Sequence, residues 1–563
     1  MNLSGSEIIV ESLKKEKIEC MFGYPGGVVI PIFHQLYKAP FKFILSRHEQ
    51  GAIHAADGYA RASGKVGVVI ATSGPGATNL ITGIATAHMD SVPLVVFTGQ
   101  VSREMIGNDA FQEVDITGVT RPICKHNYLV QDIKDLAYII KEAFYIASTG
   151  RPGPVLIDVP VDISNSTTQF NYPSKVKIKG YNPVLDGHPG QIQKAIRLIE
   201  SSQKPIIYAG GGVVISNATK ELRELVKKTN IPITTTLLAL GAYPETNPLS
   251  LKMLGMHGTY YANYAMHHSD LVIAIGARFD DRVTGKIDTF IPNAKVVHID
   301  IDPASVSKNV TVDIPIIGDC QRVLKEINKI IKPPKIDKWL KEVAKVKKDN
   351  SLHYEPKASA KDNQIKPQYV VEELYKQTKG EAIICTEVGQ NQMWAAQFYQ
   401  YNHPRTYISS GGFGTMGYGF PAAIGAQLAQ PNKKVIDIAG DGSIQMNIQE
   451  MIVAVQHKLP IIIAILNNGF LGMVRQWQQL FYDKRYSHTD IESAPDFIKL
   501  AEAYGAVGIL VKENKEVIPA IKKALKIKDR PIVIDFKVCR EENVYPMVPS
   551  GKSLKETIMR ELA

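Results

Sequence analysis

The sequence is poor in cysteine, with five in 563 residues: Cys20, Cys124, Cys320, Cys385 and Cys539. They are far apart, odd in number and form no CxxC pair, which argues against a disulfide framework and against a cysteine metal site. They read as buried thiols of a reducing compartment. No apolar run reaches the length of a membrane span. The first 17 residues, MNLSGSEIIVESLKKEK, are a charged amphipathic helix start rather than a signal peptide. The expected location is therefore cytoplasmic. The net charge of +10 comes from scattered lysines, without an arginine-rich run or a basic stripe interleaved with aromatics. Neither nucleic acid nor a membrane is an expected partner. The run Gly210-Gly211-Gly212 after an apolar strand is not a GxGxxG fingerprint, so the nucleotide signal there is weak.

What is present is an ordinary globular composition, 45% hydrophobic and 21% charged. Short continuous Val/Ile-rich runs alternate with helical patterns. Examples are VGVVIAT (66–72), LVIAIGAR (271–278) and PIVIDFKV (531–538). Such runs are strands covered on both faces. The fold class is α/β, with three doubly wound parallel-sheet domains expected at 1–165, 190–332 and 366–550. Polar, Pro- and Gly-punctuated stretches at 166–189 and 333–365 are read as linkers. The second is expected to carry a surface helix without a core pattern of its own. Blocks one and three share a similar order of elements, without a sequence repeat.

The most informative stretch lies at 435–472. An apolar strand, VIDIA, ends in Gly440-Asp441-Gly442. A second, IIIAIL, ends in Asn467-Asn468, and a helix-like segment at 447–457 joins them. The unit brings a carboxylate and an amide carbonyl to one sheet edge, and such hard oxygen ligands suit Mg²⁺ shared with a phosphate. The glycines let the backbone approach an anion. Alone, each piece is also an ordinary turn.

GDG followed some 25 residues later by NN resembles the thiamine-diphosphate motif of the thiamine-diphosphate-dependent enzymes. The resemblance implies Mg²⁺ held by Asp441, Asn468 and the carbonyl of Phe470. It extends over nearly the whole chain, and several motifs resemble acetohydroxyacid (acetolactate) synthases in particular. In block one, RHEQGA places Glu49 at a helix start, where an acid is also mildly stabilising in its own right. The resemblance makes it the acid that protonates the cofactor's pyrimidine ring, supplied across a subunit interface and expected in an apolar setting. It also puts Gly27 of GYPGG beside the reacting carbon, and Gln112 facing the reaction centre. Ser102 and Val28 stand where many relatives have Pro and Ala.

In block two, MLGMHGTYYANYAMHHSDLVIAIGARFDDRVTGK (253–286) resembles the FAD-binding stretch of these synthases. The FAD contacts it implies are Arg151, Gly211, Gly212, Met256, His257, Gly276, Arg278, Asp280, Arg282, Asp300 and Asp319. The guanidinium fork of Arg282 also suits the carboxylate of a 2-oxo acid; a loop-shaping ion pair to Asp280 or Asp281 is its other reading. In block three, EVGQNQMW resembles a diphosphate contact through Gly389, Gln390 and Asn391, the last replacing a frequent His. Gly440, Gly442, Ser443 and Met473 complete the set, and Met416 would prop the bent cofactor. Met473 and Trp477 also fit an ordinary core stripe; the resemblance puts Trp477 in the substrate pocket.

The implied activity joins pyruvate, with loss of CO₂, to a second pyruvate or to 2-oxobutanoate, on the route to branched-chain amino acids. Thiamine diphosphate, Mg²⁺ and FAD are the implied cofactors. A homodimer or tetramer and a small regulatory subunit are the implied partners. The rival readings are a flavin-dependent pyruvate oxidase and a non-catalytic relative.

Overall fold

A computed structural model describes residues 1–354 and 364–559. Part of the second expected linker, 355–363, lies outside the described residues. Three six-stranded sheets follow one another along the chain, each parallel throughout. In the first, the order across the sheet is Lys42–Leu45, Cys20–Gly23, Gly67–Ala71, Leu94–Gln100, Pro154–Pro160 and His126–Leu129. In the third it is Tyr407–Ile408, Ile383–Thr386, Val435–Gly440, Ile462–Asn467, Ile532–Lys537 and Val507–Val511. Counted within each block, both read 2-1-3-4-6-5. The similar element patterns seen in the sequence thus correspond to one shared topology. The central sheet differs, running Ser250–Met253, Ile233–Thr235, Pro205–Ala209, Leu271–Ile275, Lys295–Asp300 and Ile314–Ile317. Its order, 3-2-1-4-5-6, is that of dinucleotide-binding sheets.

The central strands are fully buried, as continuous apolar runs require: every residue of Gly67–Ala71, Leu271–Ile275 and Ile462–Asn467 is buried. The first and third blocks share one hydrophobic core. The helix Glu49–Ser63 packs on the helix Gly419–Ala429, and both are built of glycine and alanine on the facing side. Small residues allow the two backbones to touch. The first helix begins at His48, whose Nδ1 accepts from Gln50 N, and ends at Gly64 with φ 76°.

The linkers are more integrated than their composition suggests. Thr167–Gln169 pairs antiparallel with Asn2–Ser4. The helix Asp337–Asp349 does have an apolar face, contrary to the sequence reading. Trp339 is buried in the central core and its Nε1 donates to Pro205 O at 3.0 Å, with Ile336 and Val343 beside it. Two apolar side chains one turn apart sufficed among many lysines. Four cysteines are buried and Cys539 is half-buried; all are free thiols. Among the described residues no helix is long and apolar enough to cross a membrane.

Candidate active site

The strands Val435–Gly440 and Ile462–Asn467 are parallel neighbours, with Gly440 opposite Leu466. Their carboxyl ends therefore deliver Asp441 and Asn468 to one edge. Asp441 begins a short helical turn, Asp441–Ile444, and its Oδ2 accepts from Gly469 N at 3.0 Å. Asn468 Oδ1 accepts from Phe470 N at 3.0 Å, and Asn468 Nδ2 donates to Gln390 Oε1 at 3.2 Å. Gln390 in turn donates to Gln476 Oε1 and to Glu542 O, each at 2.9 Å. Asn391 is turned inward, donating to Glu387 O at 3.0 Å and Ile438 O at 2.8 Å.

A cavity of about 90 Å³ lies at this edge. Gly389, Gln390, Asn391, Met416, Gly440, Asp441, Gly442, Ser443, Asn468, Phe470 and Met473 all line it. Every thiamine-diphosphate residue assigned by resemblance is thus brought together, Glu49 excepted. The connection between the two strands is less regular than expected. A 3-10 segment, Gln445–Glu450, kinks at Asn447 (φ −135°) before the helix Met451–Gln456.

The donor set fits a hard cation and a diphosphate. Asp441 is 1% exposed, and burial pushes its carboxyl up to about 7, because no positive group stands beside it. A cation would remove that cost. Ser443 Oγ is buried at this edge, beside the Glu387 carboxyl. No cluster of three His, Cys, Asp or Glu exists among the described residues. A cation here would be held by one carboxylate, one amide and a main-chain carbonyl, and would need further oxygens from a phosphate.

The turn carrying Met416 is anchored from below. Glu387, wholly buried, accepts from Gly417 N at 2.8 Å and from Phe420 N at 3.0 Å. Burial pushes its carboxyl up to about 7, despite these donors. Gly417 has φ 83°, a conformation that favours glycine.

A second, larger cavity of about 890 Å³ adjoins the first, sharing Val388 and Met473 with it. All eleven residues that resemblance assigns to FAD line it: Arg151, Gly211, Gly212, Met256, His257, Gly276, Arg278, Asp280, Arg282, Asp300 and Asp319. Gly210 and Gly212 lie against the backbone of Gly276, so the strand ends meet without side chains between them. Burial and the nearby Arg282 lower His257 to about 4, so it is neutral at pH 7, and its Nδ1 has no partner. Thr236 Oγ1 on the same wall is likewise buried without a partner. Unpaired polar atoms along a roomy wall fit a large polar ligand. Two of the acids have local tasks as well: Asp280 accepts from Arg282 N and Asp319 from Arg322 N, each capping a helix.

Arg282 also reaches into this cavity. Its Nε lies 3.8 Å from Asp281 Oδ2 and its Nη1 3.9 Å from Met256 Sδ, so neither partner saturates the guanidinium. Trp477, edge-on to Phe481, lines the same cavity one turn beyond Met473.

The sequence reading missed part of this wall. Asn182, Pro183 and Leu185 come from the first expected linker. Asp90 ends the helix Ile81–Asp90 and Ser91 caps it, and Ser91 Oγ accepts from Arg151 Nε at 2.9 Å. Thr236 could have been found, since it follows a strand at its carboxyl end. The linker residues carry no such signal.

Gly27, Glu49 and Gln112 line neither cavity; Gly27 and Glu49 lie just beyond the carboxyl ends of first-block strands, and Gln112 lies in the long connection after Leu94–Gln100. A Cβ at Gly27 would meet nothing within 4 Å. Gln112, at φ 59°, packs its backbone on Gly74. Glu49 is half-buried, and its Oε2 accepts from Asn79 Nδ2 at 2.9 Å. The apolar setting expected for it is not supplied within one chain.

Comparison with known proteins identifies the family. The chain matches three families: "Thiamine pyrophosphate enzyme, N-terminal TPP binding domain" over residues 3–119, the central domain over 192–327, and the C-terminal TPP binding domain over 387–536. It is 50% identical to an acetolactate synthase large subunit of Buchnera aphidicola subsp. Schizaphis graminum, covering 99% of both chains. It is 48% identical to that of Haemophilus influenzae, covering 99% of this chain and 98% of the relative. It is 46% identical to the acetolactate synthase isozyme 3 large subunit of Escherichia coli, covering 98% of both. With full-length identity at this level, and all three domains in order, the chain belongs to the acetolactate synthase large-subunit family of thiamine pyrophosphate enzymes.

Proposed function

We propose that the protein is an acetolactate synthase catalytic subunit, working in the cytoplasm with thiamine diphosphate, Mg²⁺ and FAD. Two pyruvates give one 2-acetolactate and one CO₂. With 2-oxobutanoate as acceptor the product is 2-aceto-2-hydroxybutanoate. One carbon–carbon bond breaks and one forms, without net oxidation. The observation that carries this reading is the join between the two cavities. The metal–diphosphate edge at Asp441 and Asn468 opens, past Met473, onto a cavity holding Arg282 and Trp477.

Asp441, Asn468 and the Phe470 carbonyl would hold Mg²⁺, while Gly389, Gln390, Asn391 and Ser443 would face the diphosphate. Met416 would support the cofactor from the anchored turn. When bound, thiamine diphosphate supplies the electron sink that decarboxylation of a 2-oxo acid requires. Glu49 would hold a proton at the pyrimidine nitrogen of that cofactor. Since it lies outside the cavity of its own chain, it would serve the site of a second copy, and the active form would be at least a homodimer. Gly27 and Gln112 would accompany it across the interface. Arg282 would grip the carboxylate of the second 2-oxo acid through two N–H donors. Trp477 would form the wall against which the extra methylene of 2-oxobutanoate packs, a contact worth about 1–3 kcal/mol in discrimination. The wall of the larger cavity would hold FAD. The relatives' name, large subunit, supports a small-subunit partner.

The test is product analysis. Purified protein with the three cofactors, pyruvate and 2-oxobutanoate should release CO₂ and form both acetohydroxy acids. Peroxide or acetyl phosphate in place of them, or no product even with a small subunit added, would overturn the reading.

A further inference from the structure

Glu450 stands 1% exposed at the end of the kinked segment that follows the metal-site turn. Its carboxylate reaches back to the first block. It accepts from Arg47 N at 2.9 and 3.2 Å, and from His48 N at 3.0 Å. These two amides immediately precede Glu49. Gly51 has no side chain because Glu450 fills that space: a Cβ there would lie 2.5 Å from its Oε1 and 2.8 Å from its Cγ. Three residues earlier, Asn447 Nδ2 donates to Gly417 O at 2.7 Å, on the turn that carries Met416. One short segment therefore grips both the cofactor-supporting turn and the start of the helix that presents Glu49.

We propose that Glu450 is a positioning residue: by accepting the Arg47 and His48 amides it fixes where Glu49 projects from its helix start. This rests on the reading of Glu49 as the acid that activates the cofactor. Among the described residues no guanidinium or ammonium is hydrogen-bonded to the carboxylate; the two amides and the nearby charge of Arg47 favour its ionised form. Burial raises its carboxyl to about 7 even with those amides and Arg47 lowering it. Oε1 accepts from both amides, so a glutamine of the same shape keeps that oxygen but loses the charge that holds them, and it sets an N–H against Arg47 N where Oε2 accepts at 3.2 Å. Because Asp441 opens the same stretch of chain, Glu450 also ties each chain's metal edge to the acid it would present to a second copy.

The test compares Glu450→Gln, Glu49→Gln and the double variant, with Gly51→Ala as a second way to displace the carboxylate without changing its charge. In cofactor-free protein, amide hydrogen exchange of the peptide covering residues 44–52 should speed up about 10-fold in Glu450→Gln, while the thermal midpoint stays near that of wild type. With cofactors bound, exchange of the cofactor's C2 hydrogen, read by NMR after acid quench, should slow about 10-fold or more, as a misplaced reacting group does. The KM for pyruvate should stay within about two-fold, so that the loss falls on kcat. Gly51→Ala should shift both readouts in the same direction. In the Glu49→Gln background, Glu450→Gln should add nothing. Slow C2 exchange in Glu49→Gln with wild-type exchange in both Glu450→Gln and Gly51→Ala overturns the proposal, as does full additivity in the double variant. Wild-type C2 exchange in Glu49→Gln overturns the Glu49 reading itself.

Discussion

Gly425 lies directly against the carbonyl of Ala55, leaving no space for a methyl group between the two helices. Gly58 lies in the same way on Ala422, one step along the crossing. These pairs let the first and third blocks share a core, and the helix that begins with Glu49 is set by that contact. Gly425→Ala should therefore lower the thermal midpoint. Crowding a packed interior costs about 1–3 kcal/mol, against about 1 kcal/mol gained from helix propensity. A midpoint at or above that of wild type would show that the helices separate without cost.

The glycines around the larger cavity should behave in two ways. Gly276, at φ 59° and against the backbone of Gly212, has no room for a side chain, so Gly276→Ala should destabilise the central block. Gly211 is different: its nearest neighbour to an added Cβ is Leu238, at 3.4 Å, and it faces the cavity. Gly211→Val should leave the thermal midpoint of the ligand-free protein nearly unchanged while reducing bound flavin, read from visible absorbance. Equal loss of flavin and stability in both variants would count against this division.

How much of this was legible in the sequence depended on distance along the chain. Asp441 and Asn468 come from neighbouring strands joined by one crossover, so apolar runs and strand-end residues were enough to bring them together. The cavity-lining glycines and arginines were legible only through resemblance. On their own, GGG and FDDR are turns. The contact of Glu450 with Arg47 and His48 spans 403 and 402 residues, and no periodicity can signal it. Asn182, Pro183 and Leu185 line the cavity from a polar stretch whose composition says only that it connects. Trp339 shows the same limit, since one aromatic among lysines docks a helix that reads as solvated.

Arg282 offers a chemical test of the substrate end. The carboxylate and thioether contacts of its guanidinium are long, 3.8 Å to Asp281 and 3.9 Å to Met256, so its N–H donors are available to a ligand. Lysine keeps the charge but loses the two-pronged donor geometry. Arg282→Lys should reduce kcat/KM for 2-oxo acids by about 10-fold or more, the equivalent of one charge-assisted hydrogen bond. Thiamine diphosphate affinity, followed by tryptophan fluorescence, should be unaffected. Unchanged kinetics would return Arg282 to the role of a loop-shaping residue.

The last prediction concerns pH. Glu245, in the central block, and Tyr401, in the third, are joined both ways: Tyr401 N donates to Glu245 Oε2 at 2.9 Å, and Glu245 N donates to Tyr401 O at 3.1 Å. The other carboxylate oxygen is buried without a partner. Burial pushes this carboxyl from 4.5 up to about 7, even with Lys252 and Lys347 nearby. A raised acid binds its proton more tightly folded than unfolded. Its contribution to stability is therefore full below about 4.5 and falls as pH rises towards 7, at about 1.4 kcal/mol per pH unit. Glu245→Gln cannot ionise, so its stability relative to wild type should rise across that window. Thermal midpoints of both proteins from pH 4.5 to 8 measure this directly. Parallel curves would mean that Glu245 is ionised throughout, held by the two lysines more strongly than its burial allows.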